Sequence, residues 1–243
     1  MTDFHTHILP GIDDGSRDLA MTRGLLMAER EQGVERVIAT PHFYAYKTPI
    51  ESFLKRRNRS LETVLQRIEG AQLQMAQERP GPEGLPVIRV GAEVYFFPGM
   101  GKASKLPYLC INGTNVILIE MPFQQWKEEI LTDLRDILQR QRLRIVLAHV
   151  ERYLEFQKDR GVWEQVLALP VTIQLNAGSF LKGWSKRRFC IRTLQEYENV
   201  ILGSDCHNLD TRVPNLAAAR AVIERKCGAE RLAQIDRTMG ALI

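Results

Sequence analysis

The stretch NVILGSDCH, residues 199–207, decides how this chain is to be read. Its apolar run, Val200 to Leu202, is too short for a helix and suits a buried strand. Asp205 and His207 follow at the end of that run, where a purely structural strand has no need of them. The same pattern recurs upstream. VERVIAT (34–40), LPVIRVGAE (85–93), TNVILIE (114–120), LRIVLAH (143–149) and VTIQLNA (171–177) are all short apolar runs, several ending in a histidine or a carboxylate. Amphipathic stretches separate them: Arg17–Gln32, Pro49–Glu78, and Gln125–Arg140 with Ile130, Leu134 and Leu138 at helical spacing. Strands alternating with helices predict parallel βα units. About seven such units predict a barrel-like closure within one domain over residues 1–243, with an open doubly wound sheet as the alternative. RPGPEGLP (79–86) reads as a loop inside that domain. The closing AERLAQIDRTMGALI reads as an amphipathic helix packed on it.

Composition narrows the class. With 44% hydrophobic and 26% charged residues, the chain is globular and not disordered. A net charge of +4, from 33 basic and 29 acidic residues, leans toward an anionic partner without arguing for nucleic acid. Lys55-Arg56-Arg57 and Lys186-Arg187-Arg188 read as solvated helix faces. The four cysteines, Cys110, Cys190, Cys206 and Cys227, form no CxxC and no disulfide framework. No signal peptide precedes DFHTH, and no run approaches the ~18 apolar residues of a membrane span. The cytoplasm is the expected compartment, and no membrane insertion is expected.

All five histidines of the chain, His5, His7, His42, His149 and His207, fall at candidate strands or their ends, none within a helical stretch. Glu93, Glu120 and Asp205 share the habit. In parallel βα architectures the strand C-termini lie on one face, where active sites are built. Residues i and i+2 of a strand point the same way, so His5 aims with His7, and Asp205 with His207 if extended geometry persists there. Thr6 and Cys206 then aim elsewhere. Imidazoles and carboxylates gathered on one face suit Zn, Mn, Fe or Co.

DFHTHILPGIDDG, VIATPHF, GAEVYF, LIEMPF, LAHVERY and GSDCHNLDTR, in this order from residue 3 to about residue 212, resemble the motifs of the PHP (polymerase and histidinol phosphatase) superfamily. Within it they resemble the bacterial manganese-dependent tyrosine-protein phosphatases of the CpsB/YwqE type, linked to capsule and exopolysaccharide. The resemblance implies a distorted β/α barrel, the PHP fold, with three divalent ions, manganese foremost. The implied metal ligands are His5, His7, Asp14, His42, Glu93, Glu120, His149, Asp205 and His207. Asp13 competes with Asp14, and GIDDG could equally be a plain turn. Arg152 and Arg212 are implied to hold the substrate phosphate. The implied partner is a phosphotyrosine protein, a bacterial tyrosine kinase above all. Two positions depart from the pattern: Val150 stands where the family has proline in H-P-E-R-Y, and Cys206 where it has alanine.

The implied chemistry is hydrolysis by metal-activated hydroxide, with arginine forks on the phosphate. Cys206 to Arg212 also spells C-x5-R, the spacing of cysteine-dependent phosphatases. The intervening residues include no glycine and do include Asp210, so the match reads as coincidence and Cys206 as a core residue. Plainer roles exist for the arginines: a surface pair with Glu151 or Glu155 for Arg152, and helix-terminal decoration for Arg212. Two alternative functions stand beside the first: a small-molecule phosphomonoesterase such as histidinol-phosphate phosphatase, and a non-enzymatic module binding a phosphorylated ligand.

Overall fold

Seven parallel staves run around the molecule, and the chain folds them in sequence order. The structure is a computed structural model and describes residues 1–68 and 84–243. Nine strands make the staves: β1 (Thr2–Thr6), β2 (Arg36–Ala39), β3 (His42–Phe43), β4 (Val87–Val90), β5 (Glu93–Tyr95), β6 (Val116–Glu120), β7 (Arg144–Leu147), β8 (Thr172–Asn176) and β9 (Val200–Gly203). They pair in the orders β1-β2-β4 and β3-β5-β6-β7-β8-β9, parallel throughout.

The two sheets join because two staves are broken. β2 continues into β3 across Thr40 and Pro41, where proline has no N–H to give the ladder. β4 continues into β5 across Gly91 and Ala92, and the Glu93 amide still donates to the Pro41 carbonyl. LPVIRVGAE is therefore two strands instead of the single one expected. At the other edge β9 returns to β1: the Asp205 amide donates to the His5 carbonyl, and the His7 amide to the Cys206 carbonyl. Gly203 permits this approach, since a Cβ there would lie 2.5 Å from that of His5. The circuit is the distorted barrel that the sequence predicts.

Helices cover it: α1 (Leu19–Glu31), α2 (Ile50–Arg67), α3 (Glu128–Gln139), α4 (Gly161–Leu167), α5 (Gly178–Leu181), α6 (Trp184–Glu196), α7 (Leu216–Cys227) and α8 (Ala229–Leu242). Asp18 caps α1 by accepting from the Met21 amide. Leu25 and Leu26 on the inner face of α1 pack with Ile8, Val37 and Cys206. Each such fully buried side chain contributes about 1.5–3 kcal/mol. The Pro49–Glu78 stretch is helical over α2, and its end from residue 69 lies outside the described residues, as does most of RPGPEGLP. The KRR cluster on α2 is not a uniformly solvated face. Lys55 and Arg56 are exposed, but Arg57 is buried and donates to the Gly91 carbonyl at 3.0 Å. Burial lowers its pKa to about 10. The reason is position: Arg57 follows Phe53 by one helical turn on the face that packs on the barrel. The Lys186–Arg188 cluster lies at the surface of α6 as expected.

Candidate metal centre

The strand ends bring their polar residues to one mouth. His5 and His7 leave β1 on the same side, with Nε2 atoms 3.1 Å apart. Thr6 between them points outward, its hydroxyl donating to the Ile38 carbonyl. Glu93, at the start of β5, lies at the middle. Its Oε2 is 3.2 Å from His5 Nε2, 3.3 Å from His7 Nε2 and 3.0 Å from His42 Nδ1. Its Oε1 is 2.8 Å from His149 Nε2. Glu120, the last residue of β6, faces His149 at 3.5 Å and His42 at 3.9 Å. Asp205 Oδ1 lies 3.4–3.6 Å from His7, His5 and His207.

Two of these residues owe their aim to strained backbone and not to strand pleating. His149 and Asp205 both have positive φ, 31° and 55°, two residues past the ends of β7 and β9. Extended geometry therefore ends before Asp205, and a left-handed turn sets its direction. Left-handed non-glycine residues cost energy and cluster at functional sites.

The hydrogen bonds behind the histidines fix their tautomers. Gln174 Oε1 accepts from the His149 amide at 2.7 Å, so it also accepts from His5 Nδ1–H at 3.1 Å. Asp13 Oδ2 accepts from His7 Nδ1–H at 2.7 Å, and the Asp205 carbonyl from His207 Nδ1–H at 3.0 Å. Each ring thus commits Nδ1 to a bond from behind and turns Nε2 inward, the arrangement of metal-binding imidazoles held from behind. Three overlapping groups could hold an ion: His7, Asp14, His42 and His207; His5, His7 and Glu93; His42, Glu93 and Glu120. Buried atoms of this set, including Glu93 Oε2, Asp205 Oδ1, His42 Nδ1 and His207 Nε2, have polar neighbours within 4 Å but make no well-formed hydrogen bond. Cations accepted by these atoms resolve that deficit, so the residues fit divalent metals.

Asp13 and Asp14 separate here. Asp13 is consumed as a support, accepting from His7, the His42 amide and the Gly15 amide. Asp14 is two-thirds exposed, with Oδ1 3.5 Å from both His42 Nε2 and His207 Nε2.

Charge is held in place against burial. Burial alone would neutralise Glu93 and Asp205, yet the imidazoles around them hold both well below the usual carboxylate range. Burial would likewise depress His7, but Asp13 and its neighbours raise it well above an ordinary histidine. Burial, aided by Glu93, lifts Glu120 to about 7.

Arg152 and Arg212 close the mouth. Arg152 reaches Asp205 Oδ2 at 3.4 Å and lies over the Phe123 ring at 5.0 Å. Arg212 reaches Asp205 Oδ1 at 2.7 Å and Asp14 Oδ2 at 3.8 Å. The plainer expectation for Arg152 fails because Glu151 points into the protein, accepting from the Asn176 amide and the Ser179 hydroxyl. Val150 keeps the turn without proline: it is buried at the start of a short 3-10 helix, Val150–Arg152. Cys206 lies on the far side of its strand, fully buried, with Sγ 3.7 Å from Glu29. Burial and that carboxyl push its thiol well above the ordinary range, which removes it as a nucleophile.

The sequence marks VTIQLNA as a strand but gives its two polar residues no role, and β8 carries both into the site. Gln174 supports His5 and His149, and Asn176 donates to Asp205 Oδ2 at 2.8 Å. Their signal was present: two polar residues at i and i+2 inside the apolar run VTIQLNA.

The chain belongs to a family of bacterial capsule proteins: the sequence profile of the capsular polysaccharide synthesis family CpsB/CapC matches residues 1–241. Among curated relatives, the tyrosine-protein phosphatase CpsB of Streptococcus agalactiae is 30% identical, over 97% of this chain and 94% of its own. The tyrosine-protein phosphatase YwqE of Bacillus subtilis is 29% identical, over 95% of this chain and 86% of its own. Among solved structures, one from the pair YwqE of Bacillus subtilis and CpsB of Streptococcus pneumoniae, described as unique metal-dependent tyrosine phosphatases, superposes with a TM-score of 0.78. It is 24% identical, with 100% of this chain and 94% of that one covered. A lactonase from Listeria monocytogenes shares the fold more distantly, with a TM-score of 0.56 at 12% identity over 100% of this chain and 94% of its own. Among the described residues, no helix is long and apolar enough to cross a membrane.

Proposed function

We propose that this chain is a metal-dependent protein-tyrosine phosphatase, one catalytic domain over residues 1–243. Its substrate class would be a phosphotyrosine protein, a bacterial tyrosine kinase of polysaccharide synthesis foremost. The observation that carries this reading is the inward set of nitrogen and oxygen donors, several of whose buried atoms make no well-formed hydrogen bond within the protein. The names of the curated relatives point the same way. In this reading His5, His7, Asp14, His42, Glu93, Glu120, His149, Asp205 and His207 hold three divalent ions, manganese first, with iron, zinc or cobalt compatible with the same donors. Such ions lower the pKa of bound water and polarise phosphoryl oxygens.

The chain's own residues do the rest. Arg152 and Arg212 bracket the mouth from two sides, and their planar forks suit the non-bridging oxygens of a phosphate. Asp205 holds both guanidinium groups in place before substrate arrives. Gln174, Asp13 and the Asp205 carbonyl keep three imidazole protons turned away from the site. A phenolate leaving group, with a solution pKa of about 10, departs with less protonation than an alkoxide.

The test is phosphate release from a phosphotyrosine peptide by protein as prepared, metal-stripped, and resupplied with Mn. Activity should vanish on stripping, return with Mn, survive Cys206→Ser and collapse in His42→Ala. Metal-independent activity lost in Cys206→Ser would sink the proposal. Turnover of histidinol phosphate but of no phosphopeptide would move the substrate class to small phosphomonoesters.

A further inference from the structure

Beside the metal centre the structure has a second recognition surface. A cleft of about 350 Å³ opens next to His42, lined by Asp14, Tyr44, Lys47, Thr48 and Arg56 among others. It lies between the FYAYK segment that follows β3 and the first turns of α2. Tyr44 joins the two regions: its ring stacks on His42 at 5.3 Å, and the Lys47 ammonium sits 4.1 Å from its centroid. Lys47 is also 5.6 Å from the Tyr46 ring. Ring faces hold a cation without neutralising it.

The charge of the cleft is unspent. Among the described residues, neither Lys47 nor Arg56 has a carboxylate partner. The nearby acids are engaged elsewhere: Glu51 pairs with Lys105, Asp13 supports His7, and Asp14 faces His42 and His207. Two free cations at the rim of a site that takes a phosphorylated side chain invite a second anion on the same ligand.

We propose that this cleft binds an anionic side chain of the substrate protein, two or three residues from the phosphotyrosine. The inference rests on the phosphatase reading above. An extended peptide advances ~3.3–3.6 Å per residue. Lys47 lies one tyrosine ring beyond His42, which matches that separation. The anion is the carboxylate of Glu or Asp, or a second phosphoryl group in a multiply phosphorylated segment. Tyr44 and Tyr46 supply flat faces for the apolar stem of the flanking residue.

The experiment compares kcat/KM for phosphotyrosine peptides whose flanking positions carry Ala, Glu, phosphoserine or Lys, using the Mn-loaded protein and a Lys47→Glu, Arg56→Glu variant. Binding of the same peptides to metal-free protein is followed by fluorescence anisotropy. The wild type should favour Glu over Ala flanks by roughly five- to tenfold, the yield of two exposed charges acting together, and high salt should erase the preference. The variant should invert the order and favour Lys flanks, a reversal that damaged folding does not produce. A gain with phosphoserine but not Glu would assign the cleft to a second phosphoryl group. Flank-independent constants in the wild type, or an unchanged order in the variant, would overturn the proposal. Failure of every peptide to release phosphate would overturn the phosphatase reading, while the anisotropy order would still decide the cleft.

Discussion

The molecule buries two pairs of acids, Glu93 with Asp205 and Asp3 with Glu29, and they behave oppositely. Glu93 and Asp205 are fully or almost fully buried, yet they stay charged because histidines surround both and two arginines also reach Asp205. Asp3 and Glu29 are buried as deeply, and among the described residues no lysine or arginine pairs with either. Burial raises both, Glu29 well above the ordinary range. Each keeps one oxygen without a partner, and a proton shared between the two carboxyls satisfies both. Burial alone therefore does not make a metal site. The cations around the first pair keep its charge available, and the second pair is a proton-sharing structural bridge under α1.

The comparison breaks most severely at His42, which links Glu93 at 3.0 Å to Asp14 at 3.5 Å. His42→Ala should lower kcat/KM on a phosphotyrosine peptide by roughly a thousandfold, about 4 kcal/mol of barrier. Chelation of the wild type should do at least as much and be reversed by added Mn. Retained activity in both arms would mean that the charged cluster is not the catalytic centre.

The arginines come next. Arg152→Ala and Arg212→Ala should each cost roughly a hundredfold in kcat/KM, the usual scale for removing one oriented donor to developing charge. Lysine should rescue Arg212 only in part, because a point charge cannot reproduce the fork. Steady-state kinetics with metal saturation checked in every sample decides this. A pure metal-affinity defect would show that the arginines serve Asp205 and not the phosphate.

Asp13→Asn is milder and separates support from ligation. The amide can still accept from His7, but it loses the charge that raises that imidazole. Metal affinity should fall roughly ten- to a hundredfold, with maximal activity recovered at high Mn. A Mn titration of activity reads this directly. Loss of maximal activity would place Asp13 among the ligands and Asp14 outside them.

Much of this was legible before any coordinates. The period of apolar runs and helices predicts parallel staves, and histidines at run ends predict the mouth. What escaped was non-local or conformational. The broken staves depend on Pro41 and on Gly91 beside it in space, which no single run reveals. The left-handed turns at His149 and Asp205 leave no composition signal, since neither is glycine. Arg57 hides inside a basic triplet, because helical phase and not charge decides which member is buried. Gln174 and Asn176 were visible, but an apolar strand with polar i, i+2 residues reads as function only once its neighbours are known.

The mildest consequence concerns the Asp3–Glu29 pair. A carboxyl whose folded pKa is raised contributes stability that is complete below its unfolded pKa, near 4.5 for Glu29, and is lost as pH rises through the raised value. Glu29→Gln keeps the shape and a hydrogen-bond donor but cannot ionise. Near pH 5 the variant should therefore match the wild type within about 1 kcal/mol. As pH climbs the wild type should lose ground, so the difference in Tm should grow in favour of the variant. Phosphatase activity should not follow, since Glu29 faces the α1 core and touches Cys206 instead of the metal mouth. Thermal melts across pH read the first effect and the peptide assay the second. A variant less stable at every pH would mean that Glu29 is ionised in the fold. The two acid pairs would then differ in their partners but not in their protonation.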